Sequence, residues 1–198
     1  MKISRRTFIL AAVGTAADTP AMAQTLSRNA PIIDDLSRAA PEASIGTSWQ
    51  LFTDQVMGGV STGTMSRELV GGRLAIRMLG DVRLENNGGF VQLALDLSPD
   101  AGVVDASAWS GIELDLYGDD QEYGMHLRTS DLTRPWQSYR QSFRVLPEWQ
   151  TTRLPFAGFS PYRTEIPLDL RRLRRLGLAA IGRAFSADLA IGGLRFFS

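Results

Sequence analysis

Short runs in which apolar and polar residues alternate one for one, separated by glycine, proline, asparagine or aspartate, restrict this chain to β structure. The clearest is Tyr123-Gly124-Met125-His126-Leu127-Arg128-Thr129. A strand sends successive side chains to opposite faces, so Tyr123, Met125 and Leu127 share one face and His126 and Arg128 the other. Residues 137–145 repeat the pattern, with Tyr139, Gln141, Phe143 and Val145 on one side and Ser138, Arg140, Ser142 and Arg144 on the other. Further runs at 74–79, 90–97, 112–117 and 151–154 complete the spacing of an all-β sandwich or barrel. If the runs at 123–129 and 138–145 pair, their polar faces join into one surface rich in arginine and hydroxyl groups.

The amino terminus predicts export. Ser4-Arg5-Arg6-Thr7-Phe8-Ile9-Leu10 sets adjacent arginines before an apolar run, and Ala21-Met22-Ala23 offers small residues for cleavage, the pattern of a twin-arginine signal over residues 1–23. The run at 8–17 falls short of the roughly 20 apolar residues a bilayer core requires. The expected location is the periplasm, reached by a chain that folds before transport, with no stable membrane insertion of the mature protein. Residues 24–43 read as a leader with a short helix around 32–39, and residues 44–198 as a single β-sandwich domain.

Composition narrows the chemistry. There is no cysteine, which excludes thiol catalysis, disulfides and thiolate metal sites. Loss of Lys2, Arg5, Arg6 and Asp18 with the signal shifts the formal charge from +0 to −2, a balance with no whole-protein attraction to nucleic acid. Arg171-Arg172-Leu173-Arg174-Arg175, with leucines at 170, 173 and 176, has helix-like spacing with a solvated basic face. A lone histidine, His126, reads as structural, and neither a Gly-x-Ser-x-Gly elbow nor a His-Glu-x-x-His pair is present. Asp54, Asp96, Asp115, Asp119, Asp120 and Glu122 remain as candidate acids or bases, and Asp119-Asp120-Gln121-Glu122 reads as a solvated acidic turn rather than a calcium loop. The expectation is a protein without catalytic residues, cofactor or metal.

The best binding constellation is Trp136 and Tyr139 with Arg128, Arg134 and Arg140. Aromatic faces stack on sugar rings or peptide side chains, and arginines beside them supply directional donors. Two readings of Trp136 stand side by side: an exposed ligand platform, or a lid folded onto the sandwich edge. Trp49 and Trp149 each border a strand and are expected in the core.

One loop has unusual chemistry. Asp54-Gln55-Val56-Met57-Gly58-Gly59-Val60-Ser61 puts a carboxylate, paired glycines and a hydroxyl between apolar runs. Asp54 reads either as a ligand contact or as a cap on exposed amides, with Met57, Gly58, Gly59 and Ser61 shaping the turn. With Trp49, Gly88-Gly89-Phe90, residues 111–119 and 123–129, Trp149, Leu154-Pro155-Phe156 and Phe159, the order of motifs resembles the complex I intermediate-associated protein 30 family over roughly residues 49–197. The resemblance implies a galactose-binding-like jelly roll. Two departures, Gly118-Asp119-Asp120 for the family's Gly-Asp-Gly and Arg163-Thr164 for its Arg-Gly, concern two loops.

The functional expectation is a non-catalytic periplasmic binding domain for a carbohydrate-like or protein ligand. The alternative, implied by the family name, is an assembly factor or chaperone for a respiratory or other envelope complex. Export would confine such a factor to the periplasmic side, because the NADH-oxidising arm of complex I faces the cytoplasm in bacteria.

Overall fold

The period-two runs are strands, and their apolar sides meet in one core. The computed structural model describes residues 32–198, so the signal expected at 1–23 lies outside the described residues. Twelve strands are present among those residues: β1 (Ile32–Asp34), β2 (Gln50–Thr53), β3 (Thr62–Val70), β4 (Arg73–Val82), β5 (Phe90–Asp96), β6 (Gly111–Gly118), β7 (Gln121–Thr129), β8 (Ser138–Val145), β9 (Gln150–Pro155), β10 (Ser160–Tyr162), β11 (Leu173–Ile181) and β12 (Phe185–Phe197). They form two six-stranded antiparallel sheets. The first runs β3-β4-β12-β6-β9, with β1 paired beside the distal half of β12; the second runs β10-β8-β7-β11-β5-β2.

Between the sheets lie alternate residues of facing strands: Ile112, Leu114 and Leu116 of β6, Leu93 and Leu95 of β5, Tyr123, Met125 and Leu127 of β7, Leu176 and Leu178 of β11. Each fully buried aliphatic side chain contributes about 1.5–3 kcal/mol. The chain is therefore an all-β sandwich.

Several local expectations change. Residues 32–39 form no helix. Ile32–Asp34 joins the first sheet, so the segment assigned to a leader contributes a strand to the domain. Asp34 then holds the next turn, accepting hydrogen bonds from the Trp49 indole N–H (2.7 Å), Leu36 N (2.9 Å) and Ser44 N (3.2 Å). Trp49 is buried as expected.

Trp149 is not in the main core. It lies with Val70, Ala75, Ala190 and Tyr117 in a small satellite cluster, 5.7 Å from the Tyr117 ring, with the Arg73 guanidinium 4.4 Å above it. The arginine-leucine segment is likewise no helix. A 3-10 turn at Leu170–Arg172 leads into β11, whose register shifts between Leu173 and Arg175. The bulge absorbs one residue and lets Leu173 and Leu176, three apart, both face the core, which reproduces helical spacing in a strand.

Where the sequence departs from the family's Gly-Asp-Gly, Asp120 adopts φ 62°, the left-handed conformation glycine would take. Its carboxylate is held by Arg144 in two hydrogen bonds of 2.8 and 2.9 Å.

Candidate functional site

The glycine-rich motif builds a buried knot. Residues Asp54–Met57 make a 3-10 turn, capped by the Thr53 hydroxyl and ended by Gly58 at φ 88°. This turn carries the Asp54 carboxylate inward, to 0% exposure. There it accepts hydrogen bonds from Ser61 N (2.9 Å), Ser61 Oγ (2.5 Å), Gly89 N (2.5 Å) and Phe90 N (3.4 Å). Ser61 Oγ in turn accepts from Arg83 N at 2.9 Å. One carboxylate thus ties the turn, the start of β3 and the loop from β4 into β5. Burial pushes its pKa up, but the donors from Ser61, Gly89 and Phe90 together outweigh that and hold it below the usual aspartate value.

The two glycines have different duties. A Cβ on Gly59 would stand 2.3 Å from Asp54 Cγ, whereas a Cβ on Gly58 would meet nothing within 4 Å and would be opposed only by its positive φ. Gly59→Ala is expected to cost about 2 kcal/mol or more through collision, and Gly58→Ala about 1 kcal/mol through backbone strain. Urea unfolding of both variants checks the order, and equal losses would argue against a close-packed knot. Asp54 and Ser61 are both fully buried and serve here to tie the turn together, whereas Met57 is 65% exposed at the turn's tip.

A different surface carries the exposed chemistry. On the outer face of the second sheet, away from the core, His126 of β7 lies opposite Arg140 of β8 and Gly177 of β11, and Gly177 lies opposite Ala94 of β5. The adjacent row brings Ser142, Gly124, Ala179 and Gln92 together. The glycines and alanines of these rows are buried, with the Gln92 side chain lying over Gly177 and the His126 ring over Gly124, and a depression of about 160 Å³ opens among Glu122, Gly124, His126, Arg140, Ser142 and Ile181.

At the β10 edge the Arg140 guanidinium lies 3.5 Å from the centre of the Tyr162 ring, while its Nε donates to Ser138 Oγ at 2.9 Å. Arg128 reaches the loop joining β7 to β8, donating to the Pro135 and Leu132 carbonyls. Gln137 of that loop donates to Arg163 O at 3.3 Å, tying it to the end of β10. Trp136 on the loop is 51% exposed and Tyr162 is 36% exposed. The imidazole of His126 is only 7% exposed, and burial first, then Arg140, hold its pKa down to about 3, so it is neutral near pH 7.

The strands at 121–129 and 138–145 do pair, and Arg128, Arg140 and the Trp136 loop come together at one end of this face. Tyr139 does not join them. It is 1% exposed in the core, with its hydroxyl donating to the Ile166 and Pro167 carbonyls at 3.0 Å, because its place in the alternation puts it opposite Leu127 on the apolar side. Tyr162, Arg175 and Gln92 were missed in sequence. The three-residue strand holding Tyr162 is too short to show a period, and only its pairing with β8 brings it to Arg140.

A broader depression of about 550 Å³ lies across the first sheet, lined by Thr62, Thr64, Leu79, Asp81, Asp119 and Asp188. All three of its carboxylates are already engaged: Asp119 accepts from Tyr123 Oη and Asp188 N, Asp188 binds Arg77, and Asp81 lies 3.6 Å from Arg83. Neither Trp136 nor Tyr162 lines it.

Two six-stranded antiparallel sheets packed face to face define an all-β sandwich of jelly-roll type. The chain superposes on the family 11 carbohydrate-binding module of Clostridium thermocellum in complex with a β-1,3-1,4-mixed-linked tetrasaccharide, with TM-score 0.66, 13% identity, and coverage of 85% of this chain and 95% of that one. It also superposes on a family 30 carbohydrate-binding module, with TM-score 0.54, 14% identity, and coverage of 71% and 92%. At these identities the likeness is one of fold. No curated protein matches the chain in sequence. The family profile of complex I intermediate-associated protein 30 (CIA30) matches residues 40–191, and the chain belongs to that family.

Proposed function

We propose that this protein is a non-catalytic periplasmic binding domain that holds a saccharide on the outer face of its second sheet. The observation that carries this reading is the gathering of exposed aromatics, Trp136 and Tyr162, with Arg140 and Arg128 at one end of this face. Sugar rings stack on aromatic faces and take hydrogen bonds from arginine. Solved modules with the same fold include one bound to a tetrasaccharide, which supports the class of ligand.

A glycan array followed by calorimetry tests it. Tyr162→Ala and Trp136→Ala are each expected to weaken saccharide binding about tenfold or more, with little change in melting temperature because both rings are exposed. Absence of any bound glycan, or full affinity in both variants, would sink the reading.

A second reading rests on another feature. Val56, Met57, Val60 and Leu84 expose apolar side chains around the family motif, where Asn86 Nδ2 donates to Gly58 O and braces the turn. Such a patch suits a protein partner, in keeping with the association with a complex I intermediate in the family's name. A photo-crosslinker at Met57 that captures a defined envelope-complex subunit would favour this reading.

A further inference from the structure

On the outer face of the second sheet the arginines form a diagonal line. Arg140 is opposite His126, Arg128 lies two residues along the same strand from His126, and Arg175 lies directly opposite Arg128. Like charges directly across a sheet destabilise it. Asp96 relieves one of them, taking Arg175 in two hydrogen bonds of 2.7 and 2.8 Å.

The other two have no such relief. Among the described residues, no carboxylate lies within ion-pair distance of Arg128 or Arg140, whereas ten other arginines do have one: Arg77 meets Glu68 and Asp188, and Arg195 meets Glu113 and Asp115. Arg128 spends its donors on two carbonyls, and Arg140 on Ser138 and the face of Tyr162. Burial pushes both guanidinium pKa values down, and the positive charges of Arg175 and Arg174 add to the effect on Arg128. Half-burying a cation without a counter-ion costs free energy that an anion bound there would return. Glu122, the other carboxylate on this face, is exposed at its far end, opposite Arg144.

Resting on the reading of this face as a saccharide site, we infer that its ligand is an acidic saccharide, whose carboxylate or sulfate is received by Arg140 and Arg128 while a sugar ring meets Tyr162 or Trp136. The guanidinium fork matches either anion with paired hydrogen bonds.

Calorimetry on the purified protein with three hexasaccharides, an oligogalacturonate, a sulfated glucan and neutral cellohexaose, tests the inference. The expected result is that at least one acidic oligomer binds about tenfold or more tightly than the neutral one, with affinity that falls as salt rises. Whichever acidic oligomer binds more tightly identifies the anion. Arg140→Gln should weaken the acidic oligomer far more than the neutral one and so remove that preference, and Arg140→Lys should restore part of it. Arg128→Gln serves as a second variant, with melting temperature reporting any loosening of the loop Arg128 anchors. If neutral and acidic oligomers bind equally, or Arg140→Gln weakens both alike, the inference falls while the saccharide reading stands. If no oligomer binds, the saccharide reading falls with it.

Discussion

Asp54→Ala is expected to lower the unfolding free energy by about 3 to 5 kcal/mol, the sum of several buried donors left without an acceptor at roughly 1–3 kcal/mol each. The orphans are Ser61 N–H, Ser61 O–H and Gly89 N–H, with Phe90 N–H as a longer fourth contact. The loss is large because the methyl group also leaves space where Gly59 and Gly88 now pack against the carboxylate. Asp54→Asn should cost less, since one oxygen remains an acceptor while the new amide faces donors. Urea denaturation reads the difference. A loss under about 1 kcal/mol for the alanine variant would mean that the knot does not hold the three segments together. Because Asp54 is fully buried, a variant that still folds should bind saccharide with unchanged affinity, which separates this scaffold from the outer-face site.

Acidification is expected to destabilise the protein well above the pH at which carboxylates usually protonate. His126 has a native pKa of about 3 against an unfolded value of 6.5. Between those values the unfolded chain binds a proton that the native state refuses, so stability rises with pH across the window and is lost as pH falls through it. Each pH unit inside the window is worth about 1.4 kcal/mol, and moving from pH 7 to pH 4.5 should remove roughly 2–3 kcal/mol. The cause is local. The ring is nearly enclosed, with Arg140 opposite it on β8, Gly177 opposite it on β11, and Gly124 so close that a Cβ there would stand 3.1 Å from Nε2. His126→Gln should flatten the dependence between pH 6.5 and 4.5. An unchanged slope in that variant would assign the effect elsewhere. Asp54 and Glu113, both held below their ordinary values, act in a separate and lower range: their stabilisation is present above the unfolded carboxylate pKa and lost as pH falls below it.

The β7 and β8 strands are legible in the sequence because side-chain alternation is a property of the extended backbone alone. Alternation places His126 and Arg128 on one side and Phe143 and Val145 on the other, and the structure agrees. The same reasoning fails where one residue breaks the period. The bulge before Arg175 gives a strand the apolar spacing of a helix, and Tyr139, expected as a ligand contact, lies on the apolar side of β8 in the core. Trp149 was misplaced for a related reason, since flanking a strand does not say which face of the sheet an indole will cover.

The site divides along the same line. Arg128, Arg140 and Trp136 were legible because they sit within one hairpin, where a short loop fixes who meets whom. Tyr162, Arg175 and Gln92 were not, because they enter through β10, β11 and β5, brought alongside by pairings that leap across the chain. The sequence by itself determined the strand periods, the two-sided character of each strand and the glycine turn around Asp54, all of which follow from local backbone geometry. Only the tertiary structure decided that Asp54 is buried scaffold, that Arg175 stands opposite Arg128 and that Tyr162 lies under Arg140. A strand's own pattern fixes the face on which each residue lies, while its neighbours are chosen by sheet order, which is set by how the whole set of apolar faces closes into one core.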